Sequence, residues 1–275
     1  MTPRFYIGQL DKITFTMTET ENAAGPLSNL KTYFADYVWL SSTIAANQRL
    51  ILDFGEDKYC DFCIVENHNF AAIGADSVQL QCADDAAFTV NVVTVSSGLA
   101  TLGSPGKIEF TGQTKRYWSI LFAKASGLLA AIPQIGQVFV NNKFEVLNGY
   151  NHGYRAGNTE YQTAVKRNLN GIELGYQAHG GRLVFEFRFS KQNEDFKTNW
   201  ISLQNSARGR LNPFYYCDPS DGAWYVRLTE DYDPVRTLAK NNQETEMIKL
   251  RTVGDVSATP HGWGEDFGGD FGGGF

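Results

Sequence analysis

Apolar and polar residues alternate with a period of two along most of this chain. In ITFTM, Ile13, Phe15 and Met17 share one side and threonines the other; in FTVNVVTV, Phe88, Val90 and Val92 line up. In RLVFEFRF, Leu183, Phe185, Phe187 and Phe189 stand opposite Arg182, Glu186 and Arg188. Successive side chains of a strand point to opposite faces, so each run predicts a half-buried antiparallel strand with one face on a core. Shorter runs, RLILDFG, KRYWSILF, QVFV, KFEVL, AWYVRL and EMIKLRTV, are separated by Gly, Asn, Asp and Pro and extend the pattern. The fold class predicted is mainly β, a sandwich or barrel.

One stretch departs from period two. In NEDFKTNWISLQNSARGR, Phe196, Trp200 and Leu203 fall at i, i+4 and i+7, which predicts an amphipathic helix lying on a second sheet. Asn193 or Asp195 can cap its start and Gly209 can end it. The polar, turn-rich NGYNHGYRAGNTEYQ places a domain boundary near residue 147. The expected organisation is a β-sandwich over 1–146, a β-domain with the helix over 147–255, and a Gly/Phe-rich arm over 256–275. In that arm Trp263 is followed by Phe267, Phe271 and Phe275, the phenylalanines spaced four apart in glycine. So little apolar surface cannot offset its own ordering entropy, and the segment reads as an assembly arm that orders on a partner. Glycine would allow close backbone approach while the four rings insert as anchors.

Composition narrows the function classes. With 43 % hydrophobic and 13 % aromatic residues among 275, the chain has enough core-forming material for two globular domains. A formal net charge of −6 offers no extended basic surface, which argues against nucleic acid as a partner. MTPRFYIGQLDK has no apolar leader core, and no run approaches eighteen apolar residues, so neither a signal peptide nor a membrane span is expected. Four cysteines occur, Cys60, Cys63, Cys82 and Cys217. CDFC has metal-pair spacing, but in a strand positions three apart face opposite sides, and Cys82 follows Val78 and Leu80 on one side of its strand. Buried free thiols are the expectation, with a zinc or iron–sulfur site using all four as the alternative.

Few of the residues are set out for chemistry. No nucleophile elbow, zinc-protease helix, phosphate loop or EF-hand loop occurs. His68, His152, His179 and His261 are scattered; His68, in VENHNF after a strand, is the best placed of them, as a ligand or base or as a satisfied turn residue. The acid pairs Asp84 with Asp85 and Asp218 with Asp221 sit in turns. No enzyme activity, cofactor or metal is expected. Tyr33, Tyr37 and Trp39, in KTYFADYVWLSS, could stack on the C–H face of a sugar ring, the alternative being that Trp39 plugs the end of a sandwich.

Five pieces in order carry a resemblance. ENAAGPLSNLKTYFADYVWLSST, QRLILDFGEDKYCDFCIVENHNF, SVQLQCADD, KRYWSILFAKASG and IPQIGQVFV, spanning residues 20–146, resemble the discoidin or galactose-binding-like jelly roll, including versions carried by bacteriophage tail proteins. TYFADYV stands where that family has a leading DGD turn. RLVFEFRFS, the helix around Trp200 and NPFYYCDPSDGAWYVRL resemble the β-domain of phage distal tail and tail-tip proteins. The resemblance implies a structural component of a phage tail tip or baseplate, located in the virion tail and assembled in the host cytoplasm. Its implied partners are copies of itself in a ring-like homo-oligomer and other phage tail proteins. A carbohydrate-binding host-adsorption module is the alternative, with Tyr33, Trp39 and His68 as its ligand face and a host surface glycan as partner. A glycoside hydrolase is the third reading.

Overall fold

A computed structural model describes residues 3–253, apart from 7, 35, 104, 147–151, 161–162, 168–172, 178–181, 190–191, 193, 218–222, 230–235, 240–241 and 246–247. The chain is mainly β with antiparallel sheets, and it divides into two compact units. One is formed by Gly8–Lys143; the other joins the N-terminal strand β1 (Arg4–Tyr6) to the described residues from Phe144 onward.

The Gly8–Lys143 unit contains β2 (Thr14–Met17), β3 (Trp39–Leu40), β4 (Gln48–His68), β5 (Ser77–Ala83), β6 (Val93–Ser96), β7 (Gly106–Ala123) and β8 (Gln134–Asn141). β4 and β7 are too long for one layer. Their pairing shifts register between Asp53 and Lys58 and again between Cys60 and Phe62. Before the first shift, β4 lies between β2 and β7, and β5 and β6 continue that layer. After the second, β4 pairs with β8 and with the start of β7, and β3 adds to β8. The rings of Phe110 and Trp118, eight residues apart on β7, have centroids 5.6 Å apart. A straight strand would separate them by about 26 Å, so β7 folds back and its two halves face each other. Trp39 of β3 against Phe122 of β7, at 6.4 Å, makes the same crossing. The result is a β-sandwich of jelly-roll kind built on two bent strands.

One expectation fails locally. Of FTVNVVTV only the last three residues are strand, in β6 (Val93–Ser96); Val90 and Val92 are exposed, and Phe88 and Asn91 adopt left-handed backbone, φ +55° and +50°. The Asp85 carboxylate causes this by accepting from Thr89 and Val90 N–H at 2.9 and 2.8 Å, hydrogen bonds that would otherwise join a ladder. Cys60 and Cys63 are both fully buried free thiols, as expected, on either side of the register shift at Cys60–Phe62.

The other unit is a sheet in the order β10 (His152–Glu160), β13 (Arg182–Arg188), β18 (Ile248–Thr252), β15 (Ala223–Leu228), β14 (Phe214–Cys217), β1 and β9 (Lys143–Glu145). Two separate pairs accompany it, β11 (Thr163–Arg167) with β12 (Glu173–Gln177) and β16 (Arg236–Ala239) with β17 (Asn242–Glu244). β1 pairs Phe5 with Tyr216, so the first residues belong to this sheet, whereas the sequence pattern groups them with the sandwich. Three residues, RFY, are too few for a period to reveal their sheet. Leu183, Phe185, Phe187 and Phe189 are buried against Phe196, Trp200, Leu203 and Ala207 of α1 (Glu194–Ala207), the helix predicted. Arg208 and Gly209, at φ +47° and +65°, terminate it, and Gly209 N–H donates to the Gln204 carbonyl at 3.1 Å. Asn193 and the arm residues Trp263, Phe267, Phe271 and Phe275 lie outside the described residues.

Candidate ligand-binding surface

The segment entering β3 is folded tightly before it reaches the sheet. Asn22 starts a turn, its side-chain oxygen accepting from Ala24 N–H at 3.0 Å and its carbonyl from Gly25 N–H at 3.0 Å. Gly25 is required there because a Cβ would lie 2.6 Å from Leu40 Cγ and 2.8 Å from Leu40 N, whose N–H donates to the Gly25 carbonyl at 2.9 Å. A 3-10 turn over Leu27–Lys31 buries Leu30, and the Asn29 amide donates to the Val38 carbonyl at 2.8 Å. Buried Gln137 of β8 donates to the Thr32 carbonyl at 3.0 Å, and Tyr37 N–H to the Phe34 carbonyl at 3.2 Å. The Asn29–Val38 bond draws the two ends of this segment together, the Tyr37–Phe34 bond closes its middle, and Gln137 ties it to β8 at Thr32.

That anchored loop presents two large rings to solvent. Phe34 is 53 % and Tyr37 57 % exposed, with centroids 6.2 Å apart at 78°. Exposure of this order withholds most of the burial gain, about 1.5–3 kcal/mol for an aromatic side chain, which a binding partner can recover.

The nominated ligand-face residues lie beside these rings and do not form the platform. Trp39 is 1 % exposed and stacks on Phe122, which makes it the plug of the sandwich. Tyr33 is half-buried, its hydroxyl 3.5 Å from the Gly8 carbonyl. His68 is half-buried and stacked on Phe70 at 4.1 Å; its Nε2 donates to the Gly103 carbonyl at 2.9 Å and its Nδ1 accepts from Phe70 N–H at 3.4 Å. Both ring nitrogens are thus engaged in holding turns together. Tyr37 was among the stacking candidates in the sequence, while Phe34 was not; its signal is its place among the aromatics of TYFADYVW.

The acidic groups are arranged for structure. Asp84 pairs with Lys115 at 2.5 Å and accepts from Asn91 at 2.6 Å, and Asp85 holds Thr89 and Val90. These donors keep both carboxyls below the usual carboxylate range, the opposite of what a general acid needs. Asp218 and Asp221 lie outside the described residues. The four cysteines are buried free thiols; burial pushes Cys60 and Cys63 far up and Cys82 up to about 11. Among the described residues no three of His, Cys, Asp and Glu converge on a metal-binding point.

No protein-family model matches this chain, nor does any curated protein. Solved structures are similar over about half of it. Chitosan-binding module 1 from a Paenibacillus sp. IK-5 chitosanase/glucanase shares 20 % identity over 48 % of this chain and 97 % of its own, TM-score 0.39. The family 32 carbohydrate-binding module of C. perfringens NanJ, in complex with galactose, shares 14 % over 51 % and 99 %, TM-score 0.38. A Clostridium perfringens module in complex with GalNAc-β-1,3-galactose shares 14 % over 49 % and 99 %, TM-score 0.38. At such values these are likenesses over part of the chain and nothing more.

Proposed function

We propose that this chain is a non-catalytic carbohydrate-binding protein that holds a glycan against Phe34 and Tyr37. The observation carrying this reading is the pair of exposed aromatic rings on a loop that closes on itself through the Asn29–Val38 and Tyr37–Phe34 bonds and is tied to β8 at Thr32. A pyranose presents a flat C–H face that gains from an aromatic ring, and a pre-ordered loop loses little entropy on binding. Two rings set nearly edge to face suit successive sugar units in different orientations. Sugars are bound by the similar modules named above; the reading for this chain stands on its own rings.

The test is a screen of immobilised neutral glycans followed by calorimetry on the best binder, with the native chain and with Phe34→Ala and Tyr37→Ala. Each substitution should weaken binding by about tenfold, equivalent to 1.4 kcal/mol. Stability should change by less than about 0.5 kcal/mol, because both rings are exposed. A screen without a binder, or an affinity that ignores both substitutions, overturns the proposal. The tail-tip and ring-assembly reading rests on the sequence resemblance alone, and its arm lies outside the described residues.

A further inference from the structure

The outer face of the β2–β4–β7–β5–β6 layer carries an arginine in an unusual position. Arg49 points away from the core residues Leu50 and Leu52, and its neighbours are set by the sheet. Ile51 pairs with Ser119, Ser119 with Gln81, and Gln81 with Thr94, so one cross-strand row places polar groups beside it. Arg49 Nη1 donates to Gln81 Oε1 and to Ser119 Oγ, each at 2.7 Å. The Gln81 amide is held by Nε2 donating to Gln79 Oε1 at 2.8 Å and to Thr94 Oγ1 at 3.1 Å, and the Gln79 amide donates to Ser77 Oγ at 2.8 Å. A relay of neutral side chains across three strands therefore fixes one edge of the guanidinium.

Phe88 fixes its plane. The guanidinium carbon lies 4.2 Å from the centroid of the Phe88 ring, which is delivered by the loop that Asp85 pins into left-handed backbone at φ +55°. A bulky residue is strained in that region, and such strain persists only where the surroundings enforce it.

Among the described residues this arginine has no counter-charge. It makes no ion pair among the described residues, although it is half-buried and burial opposes its charge. Asp53 of β4 is committed to Arg116 through two bonds of 2.8 and 3.0 Å, and Asp84, next after β5, to Lys115. The Nε and Nη2 edge makes no hydrogen bond among the described residues and is not sealed from solvent. Two parallel N–H groups on one edge of a fixed plane match a carboxylate in geometry and charge.

We propose that Arg49, fixed by Gln81, Ser119 and Phe88, forms a second binding site that takes the carboxylate of an acidic sugar. The choice of a sugar rests on the glycan-binding function proposed above; the carboxylate specificity rests on Arg49 itself.

The probes are a hexuronic acid trisaccharide, the matching neutral hexose trisaccharide, and acetate, titrated into the full chain while the Arg Nε–H resonances are followed by NMR. The uronide should shift the Arg49 Nε–H signal and bind at least about tenfold more weakly to Arg49→Gln, with Arg49→Lys in between because it keeps charge but loses the fork. Thermal midpoints of both variants serve as the folding control. No uronide binding to the native chain, or binding indifferent to both Arg49 variants, overturns the site. A uronide no tighter than acetate overturns the acidic-sugar assignment. Loss of neutral-glycan binding in Phe34→Ala bears on the first site alone, so the two proposals fail separately.

Discussion

His68 is held neutral by its burial. Its Nε2 donates to Gly103 and its Nδ1 accepts from Phe70, so a second proton would remove an acceptor from a half-buried ring. Burial accordingly lowers its pKa, against a smaller opposite pull from the Gly103 carbonyl. In the unfolded chain the ring titrates near its ordinary value of about 6.5. Below that pH the unfolded state takes up a proton that the folded state resists; the stability contribution is therefore complete above about 6.5 and is lost as pH falls from there toward the folded value. Replacing His68 by Gln keeps a donor for Gly103 and removes the titration. The fall in Tm between about pH 7.5 and 5.5 should be shallower in His68→Gln than in the native chain, and equal slopes would refute the assignment. Single residues also set how far the site was legible in the sequence. Tyr33, Phe34, Tyr37 and Trp39 are one residue class within seven positions, and their composition marks the segment. Which ring faces water depends on Trp39 pairing with Ile135 and on the Phe34–Tyr37 turn, contacts from distant or local backbone that no periodicity encodes.

At the scale of elements, close approach decides which glycines matter. A Cβ on Gly8 would stand 1.9 Å from Cδ1 of Phe139, whose ring is fully buried and has nowhere to go. A Cβ on Gly112 would stand 2.1 Å from the hydroxyl of Tyr59, a half-exposed side chain that can swing into solvent. Gly8→Ala should therefore destabilise the sandwich by about 1–3 kcal/mol, the usual range for overpacking, and Gly112→Ala by well under about 1 kcal/mol. Urea unfolding of the two variants checks the ranking, and a reversed order would mean that burial of the neighbour is not what sets the cost. Strands that alternate cleanly, such as β13, and the helix with its Gly209 stop were legible because each follows one local period. The bends of β4 and β7 were not. Their register shifts come from the need of one strand to serve two layers, and the FTVNVV segment lost its strand to the Asp85 carboxylate, a competition invisible to an apolar pattern.

For the whole molecule, the path of the chain has a thermodynamic consequence. The polypeptide leaves β1 in one compact unit, builds the Gly8–Lys143 sandwich, and returns to complete the unit that holds β1. Phe5 of that strand is at the centre of its unit's core: its ring lies 5.4 Å from Tyr216, 5.6 Å from Phe144, 5.9 Å from Trp200 and 6.1 Å from Phe214. The sandwich has its own buried centre, Trp118 and Phe122. Two cores built from separate sets of buried side chains are expected to melt in two steps, each sensitive only to substitutions within it. Phe5→Ala removes a fully buried ring and should cost about 3–5 kcal/mol in its own unit, lowering that calorimetric transition by more than about 10 °C. The sandwich transition should stay within about 1 °C of the native value, although Phe5 is only three residues from Gly8 where the sandwich begins. If both transitions move together, or only one is seen in the native chain, the units fold as a single cooperative body, and a glycan bound at Phe34 and Tyr37 would then stabilise the other unit's sheet as well.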